Sequence, residues 1–166
     1  MALLSPYKPL PLKSLAGEVE IYVNQSGKIE QTNFDTRVAA VKGDESFCLI
    51  IDKNLKRGLI SKYKSKFKSS KNLIIRLFAI GAYLSIKGIY RNGDVVIIDN
   101  EYPSHGRRII AMIVSRLKVN EDLFRIDKLG KKHPSHKFST KPYLATDVKK
   151  LTLKDEEFLL KLGLIK

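Results

Sequence analysis

The chain has very little cysteine, and this scarcity excludes several kinds of site. Its 166 residues include a single cysteine, Cys48, within the apolar run FCLII. We interpret this residue as a small buried side chain, because one thiol can form neither an internal disulfide nor a cysteine-rich zinc site. A protein without disulfides suits a reducing compartment, so we expect a cytoplasmic location.

Long hydrophobic runs are also missing. The N-terminal stretch MALLSPYKPLPLK carries three prolines and no apolar run of signal-peptide length. We predict that residues 1–17 form an extended arm and that residues 18–166 form one domain. The longest apolar segment, Leu73 to Ile86, falls short of the roughly 20 residues that a membrane-spanning helix needs. It predicts a buried helix, and we expect no membrane partner.

Acidic residues are few. The chain has 17 Asp and Glu against 31 Lys and Arg, which gives a formal net charge of +14. This excess implies an anionic partner, which is nucleic acid or, as a weaker alternative, an anionic membrane surface. The sequence offers no strong basic amphipathic helix with exposed apolar residues, and this disfavours the membrane. It does not choose between RNA, DNA and a hybrid of the two.

Two segments contain no acidic residue at all. The first, Lys53 to Lys71, holds seven lysines and one arginine in nineteen residues. Within it SKYKSKFK alternates strictly, so an extended conformation would project lysines from one face about every 6.8 Å, as a comb for phosphates. A helix would instead scatter them around its axis, and the sequence leaves both conformations open. The candidate nucleic-acid contacts here are Lys56, Arg57, Lys62, Lys64, Lys66 and Lys68.

The second acid-free segment runs from Lys128 to Lys141. It contributes five lysines together with His133 and His136. A histidine in such a loop is either a functional group or an ordinary solvated side chain. The candidate nucleic-acid contacts here are Lys131, Lys132 and Lys137.

Hydrophobic periodicity predicts a mixed α/β domain. Three strands come first and form an antiparallel meander, because short turn-like connections join them. A helix, a strand, a second helix, a fifth strand and C-terminal helical segments follow. The predicted strands are Val19 to Asn24, Phe34 to Val41, Phe47 to Ile51, Val95 to Asp99 and Leu123 to Ile126. The predicted helices are Leu73 to Ile86, Arg107 to Leu117, Asp147 to Leu151 and Glu156 to Leu162.

The stretch VVIIDNEY, residues 95–102, carries the most specific signal. An apolar strand ends there in Asp99, with Glu101 two residues further and Pro103 closing the segment. Many α/β enzymes present a carboxylate to a metal or a proton in this way, although Asp99 and Asn100 also suit a simple turn. If the strand continues, positions 99 and 101 point to the same face.

Four motifs in order resemble the ribonuclease H superfamily. IYVNQSG at 21–27 is similar to the family's first strand, which ends in Asp-Gly-Ser, and IIDNEY at 97–102 is similar to its fourth. Residues 124–127 with the following LGKKHPSH resemble the fifth strand and the histidine-bearing loop. Ala145-Thr146-Asp147 matches the last acidic position, on the C-terminal helix. The resemblance covers most of residues 19–150 and implies a ribonuclease H-like mixed sheet of about five strands.

The resemblance also implies a nuclease-type site with two Mg²⁺ or Mn²⁺ ions held by carboxylates. Asp99 and Asp147 would be metal ligands and catalytic residues, and His133 would act on the scissile phosphate or in product release. Asn24 stands where the family has its first aspartate, and the helix from Leu73 to Ile86 contains no acid. The family's duplex would cross the acidic face, flanked by the two basic segments.

Two hypotheses follow for the activity. The leading one is a nucleic-acid-binding protein whose nuclease site is degenerate, because Asn24 and the acid-free helix leave little negative charge for two cations. The alternative is a divalent-metal-dependent nuclease that uses Asp99, Asp147 and an unorthodox third ligand, Glu101 or Asp35. Carboxylates within about 4 to 6 Å of each other would favour the enzyme. A purely structural role for the lysines in surface ion pairs is a third reading, but the charges are unbalanced.

Overall fold

Six strands form one mixed sheet in the computed structural model, which describes residues 19–165. The predicted N-terminal arm therefore lies outside the described residues. Across the sheet the strands follow the order β5-β4-β1-β2-β3-β6, with β2 antiparallel to β1 and β3 and the other neighbouring pairs parallel. The strands are β1 (Glu20–Ser26), β2 (Thr36–Lys42), β3 (Glu45–Ile51), β4 (Val95–Asp99), β5 (Phe124–Asp127) and β6 (Asp147–Leu151).

The α/β class and the antiparallel arrangement of the first three strands are confirmed. All five predicted strands are present, with shifts of one to two residues at most ends. The interior strand β4, which lies between β5 and β1, is buried on both faces apart from its last residue, and this explains its continuous apolar run. Strands that run in the same direction need crossover connections. In the chain, α1 and α2 therefore connect β3 to β4, and α3 connects β4 to β5.

Helices pack on both faces of the sheet. The largest, α2, was predicted correctly, and the Cβ position of its Gly81 lies only 3.4 Å from Val38 of β2, so the absent side chain lets helix and sheet approach closely. On the opposite face α4 packs against β1, β2 and β3 through the buried Ser135 and Ser139. The helices are α1 (Lys53–Tyr63), α2 (Ser70–Lys87), α3 (Gly106–Leu117), α4 (Pro134–Thr140) and α5 (Glu156–Lys161).

The prediction of a helix at 147–151 was wrong. These residues form β6, which pairs with β3 in parallel and adds a sixth strand at the edge of the sheet. Four of its five residues are exposed. A strand exposed on both faces has no reason to alternate polar and apolar residues, so DVKKL lacks the period that identifies a strand.

The lysine comb is not formed. Helix α1 extends to Tyr63, and a 3₁₀ turn covers Lys64–Lys66 before the chain enters α2. Tyr63 is buried and its hydroxyl donates to Glu156 at 2.8 Å, which fixes the end of α1. The lysines of SKYKSKFK therefore point in several directions, as expected for the helical alternative.

Five of the six strands run in the same direction, so their C-terminal ends lie along one side of the sheet. This side, which crosses all five strands, is here called the carboxyl edge and is distinct from the edge strands β5 and β6. It comprises the ends of β1, β3, β4, β5 and β6. Helices α1 and α3 follow β3 and β4 directly, and so both begin there. No helix among the described residues combines the length and the apolar character needed to cross a bilayer.

Candidate nucleic-acid interface

Three polar residues form a row across the carboxyl edge, on the face that α4 covers. Asp99 of β4 is the direct partner of Asp127 of β5, and the pairing of Val23 with Ile98 makes Asn24 the next neighbour on β1. Paired residues on neighbouring strands project to the same face. The parallel strands thus bring one amide and two carboxylates together, although they are far apart in the sequence.

The loop after β4 brings a second carboxylate back toward Asp99. The Glu101 amide donates to the Asp99 carbonyl at 2.8 Å, so the chain turns sharply instead of continuing as a strand. The Asp99 carboxylate accepts a hydrogen bond from the Leu129 amide at 2.9 Å, which ties it to the loop after β5. Burial, followed by the neighbouring Asp99 carboxylate, raises the pKa of Glu101 to about 7. Both carboxylates line the same cleft, so ionisation of the two together is disfavoured.

Asn24 and His133 connect this row to α4. Asn24 is 2% exposed, and its amide nitrogen donates to the Ser135 hydroxyl at 3.4 Å. His133 caps α4 by accepting from the Ser135 amide at 3.2 Å, and its ring packs on Tyr22 with centroids 4.3 Å apart. Burial lowers the pKa of His133, with Asp99 and Glu20 opposing that effect. These contacts give His133 a structural role beside the row.

A cleft of about 440 Å³ opens above the row, here called the front cleft. Its lining combines carboxylates and amides with Lys128 and Lys131 of the loop after β5 and with His136 of α4. Lys132 and Lys137 are exposed on the same segment. The lining residues are Asn24, Gln25, Asp99, Asn100, Glu101, Pro103, Lys128, Gly130, Lys131 and His136.

Asp147 does not belong to this cleft. It pairs with Phe47, whose row continues through Ala40 and Val23 to Ile98, so four strand spacings, roughly 19 Å, separate β6 from β4. The expectation that Asp99 and Asp147 hold the same metal pair is therefore corrected. Residues 19–165 contain no group of three or more His, Cys, Asp or Glu side chains arranged for a metal ion.

Asp35, the other proposed third ligand, lies beyond β1 and is engaged elsewhere. Its carboxylate accepts from the Lys53 amide at 2.9 Å and pairs with Lys150 at 3.6 Å. Of the acids considered from the sequence, only Glu101 accompanies Asp99 in the front cleft.

The prediction that Lys56 contacts nucleic acid is also corrected. Its side chain is fully buried, and its ammonium donates to the carbonyls of Lys28 and Gln31 and to the Thr36 hydroxyl at 3.3, 2.7 and 2.8 Å. Burial lowers its pKa to about 8. A lysine held in this way cannot reach a phosphate, and it instead fastens the loop between β1 and β2 to α1.

The other candidates of the first basic segment are exposed, but on the α2 side of the sheet. Lys62 pairs with Glu156 at 3.0 Å, so its charge is already compensated in part. The position of α1 follows from two contacts. The Lys56 ammonium donates to Thr36, and Thr36 is on the same face of β2 as Val38, which lies against α2. The exposed residues here are Arg57, Lys62, Lys64, Lys66 and Lys68.

Two residues, one beside the front cleft and one lining it, were not predicted from the sequence. Asp127 ends β5 as Asp99 ends β4, and RIDK after IIDN was the available signal. Lys128 follows directly and lines the cleft. Neither could be assigned without knowing that β4 and β5 are neighbours. No family model matches the chain, and neither does any curated protein or solved structure.

Proposed function

We propose that this protein binds nucleic acid through the front cleft, on a ribonuclease H-like fold whose catalytic site is degenerate. The observation that carries the proposal is the arrangement of charge around one cleft. Exposed lysines of the segment 128–141 border it, in a chain with a net charge of +14. Lysines attract the phosphate backbone without regard to sequence, and the affinity then depends steeply on salt.

The ribonuclease H-like assignment rests on three matching strands that are neighbours. The motifs at residues 21–27, 97–102 and 124–127 fall on β1, β4 and β5, which are adjacent and parallel. The residues at the family's first-strand and fourth-strand acidic positions, Asn24 and Asp99, are consequently side by side. This agreement supports the resemblance for the first five strands, and the sixth strand departs from it.

Loss of catalysis is supported by the composition of the cleft. Asn24 contributes a neutral carbonyl in place of a carboxylate, and Asp147 lies four strands away. Asp99 and Glu101 are the two carboxylates that line the cleft, whereas Asp127, the strand partner of Asp99, is not among the lining residues. Two divalent cations bring four positive charges, which two carboxylates and an amide match poorly.

The nuclease alternative is favoured by one observation, the proximity of Asp99 and Glu101. Carboxylates that close together share a proton or bind a cation, and their oxygens with that of Asn24 are ligands that suit Mg²⁺ or Mn²⁺. If the protein is an enzyme, these three residues would hold the ion. The ion would polarise a phosphodiester and supply a hydroxide.

Cleavage and gel-shift assays on the same samples test the proposal. Labelled single-stranded RNA, duplex DNA and an RNA/DNA hybrid would be incubated with Mg²⁺ or Mn²⁺. We expect a salt-sensitive shift without cutting. Asp99→Asn is compared with Asp147→Asn, a matched change roughly 19 Å away. Cutting that Asp99→Asn alone abolishes would establish the nuclease instead, and absence of any shift would refute nucleic-acid binding.

A further inference from the structure

A second cleft adjoins the front cleft at the end of β1. Its volume is about 610 Å³, and it lies on the α4 side of the carboxyl edge, beyond α4 itself. Asn24 lines the front cleft and Ser26, two residues later on the same strand face, lines the second. The lining residues are Ser26, Gly27, Asn33, Phe34, Asp35, Arg37, Asp52, Lys53 and Lys150.

Arg37 is the unusual cation of this second cleft. It is half-buried, and its Nε is shielded from solvent without an acceptor among the described residues. No carboxylate in residues 19–165 lies within ion-pair distance of it. A partly buried guanidinium normally finds acceptors, and its planar fork matches a phosphate. Arg37 is thus left available for an anion.

The two acids of the second cleft are already engaged. Asp52 caps α1 by accepting from the Asn54 amide at 2.7 Å, and Lys150 lies 3.4 Å from its carboxylate. Lys150 also pairs with Asp35, whose other oxygen accepts from the Lys53 amide. These contacts compensate both carboxylates, so they oppose a bound anion only weakly.

Phe34 supplies an exposed aromatic ring at the rim. It is 65% exposed, although a phenylalanine usually packs into a core. The loop that carries it is held against α1, because the Lys56 ammonium donates to the carbonyls of Lys28 and Gln31. The ring is therefore presented by a fixed loop three residues before Arg37.

From this combination we propose that the second cleft binds an unpaired nucleotide, whose base stacks on Phe34 while its phosphate is held by Arg37. Bases of any sequence stack on an aromatic ring, whereas a paired base within a duplex keeps its faces covered. The inference rests on the proposed function and narrows it, because it makes single-stranded nucleic acid the preferred partner. A strand leaving the front cleft along β1 would enter this site.

The test compares a single-stranded oligonucleotide with a blunt duplex of equal length, by fluorescence anisotropy at fixed salt. Phe34→Ala should weaken single-strand binding about tenfold, the size of one lost base–aromatic stack, and leave duplex binding within about twofold. Arg37→Gln should weaken binding of the single strand as well. Tyr143→Ala is the matched control, because Tyr143 is 76% exposed outside both clefts.

Each outcome decides between the two proposals. If the unmodified protein binds neither probe, the proposed function fails and the inference with it. If it binds the single strand and Phe34→Ala binds equally well, the inference alone is refuted. Equal losses for both probes also refute it, because Phe34 would then be a general contact. Phe34→Leu keeps an apolar side chain without a ring, so a tenfold loss there at unchanged melting temperature supports stacking even if Phe34→Ala folds poorly.

Discussion

The two acid-free basic segments have similar compositions and different positions in the fold. The first, residues 53–71, forms α1, a 3₁₀ turn and the start of α2, all on the α2 side of the sheet. The second, residues 128–141, forms the loop after β5 and α4, and it borders the front cleft. One lysine of the first is fully buried and another is paired with Glu156.

This difference shows that a high density of lysines does not by itself leave every lysine free for a ligand. What distinguishes the second segment is its attachment to the carboxyl edge, where the Leu129 amide bonds to Asp99. The first segment reaches that edge chiefly through Lys53, at the start of α1. Four substitution experiments can sharpen or break the comparison.

Replacing Lys56 should have the largest effect, and on stability. Lys56→Met keeps most of the side-chain volume but leaves two carbonyls and a hydroxyl without their shared donor. We expect the free energy of unfolding to fall by about 3 kcal/mol, because two partly buried carbonyls and the buried Thr36 hydroxyl lose their donor. Urea denaturation measures this loss. Lys64→Met, at an exposed position, is the control and should change stability by less than about 0.5 kcal/mol.

The second experiment removes charge beside the front cleft. Changing Lys128, Lys131, Lys132 and Lys137 together to Gln should weaken duplex DNA binding about 100-fold near 0.15 M salt. The slope of log affinity against log salt should become shallower by about 3 to 4, since each phosphate contact contributes roughly 0.9. Anisotropy titrations at several salt concentrations give both quantities. An unchanged slope would mean that this segment does not contact phosphate.

The burial of Lys56 also shows how much of the fold could be predicted from the sequence. Leu55, Lys56, Leu59 and Tyr63 lie on one buried face of α1, so helical spacing alone would have placed the lysine inward. That conclusion requires knowing that 53–63 is a helix, which the alternation in SKYKSKFK obscured. Strand β4, which has a strong local pattern, was predicted with its exact bounds. Local periodicity thus determined the type of β4 and α2, whose buried residues are largely apolar, but not that of α1, whose buried face includes a lysine.

The third experiment titrates the carboxylate pair. The folded-state pKa of Glu101 is raised to about 7 from its ordinary value of 4.5, so between these pH values the folded protein holds a proton there that the unfolded chain has lost. The stabilisation that protonated Glu101 gives the folded state is fully present below about pH 4.5, and it is lost as the pH rises through 7. Glu101→Gln should therefore be more stable than the unmodified protein at pH 8, by about 1 kcal/mol after allowance for partial exposure.

Urea denaturation between pH 5 and 8 measures this effect. Glu45→Gln, at an exposed position of β3, is the control and should keep the original pH profile. Nucleic-acid affinity should fall over the same range, because an ionised Glu101 repels phosphate. A pH-independent stability difference between the two proteins would contradict the close carboxylate pair.

The composition of the front cleft was only half predictable, for a physical reason. Asp99 and Glu101 are two residues apart, so their proximity could be predicted from the sequence. Asp127 lies beside Asp99 only because of the register between β4 and β5. Asp147 lies far from Asp99 because it belongs to the edge strand β6, which was not predicted. Such contacts depend on strand order, and no short segment encodes strand order.

The fourth experiment should produce the smallest effect, and it is the strictest test of the comparison. Changing Lys62, Lys64, Lys66 and Lys68 together to Gln removes as much formal charge as the change beside the front cleft. Charges on the α2 side should act only through the long-range field, which is screened within about 8 Å at physiological ionic strength. We therefore expect affinity to fall by less than about threefold there, with a nearly unchanged salt slope. If the slope instead drops by 3 or more, phosphate contacts extend to the α2 side, and the nucleic acid wraps both faces of the sheet instead of following the carboxyl edge.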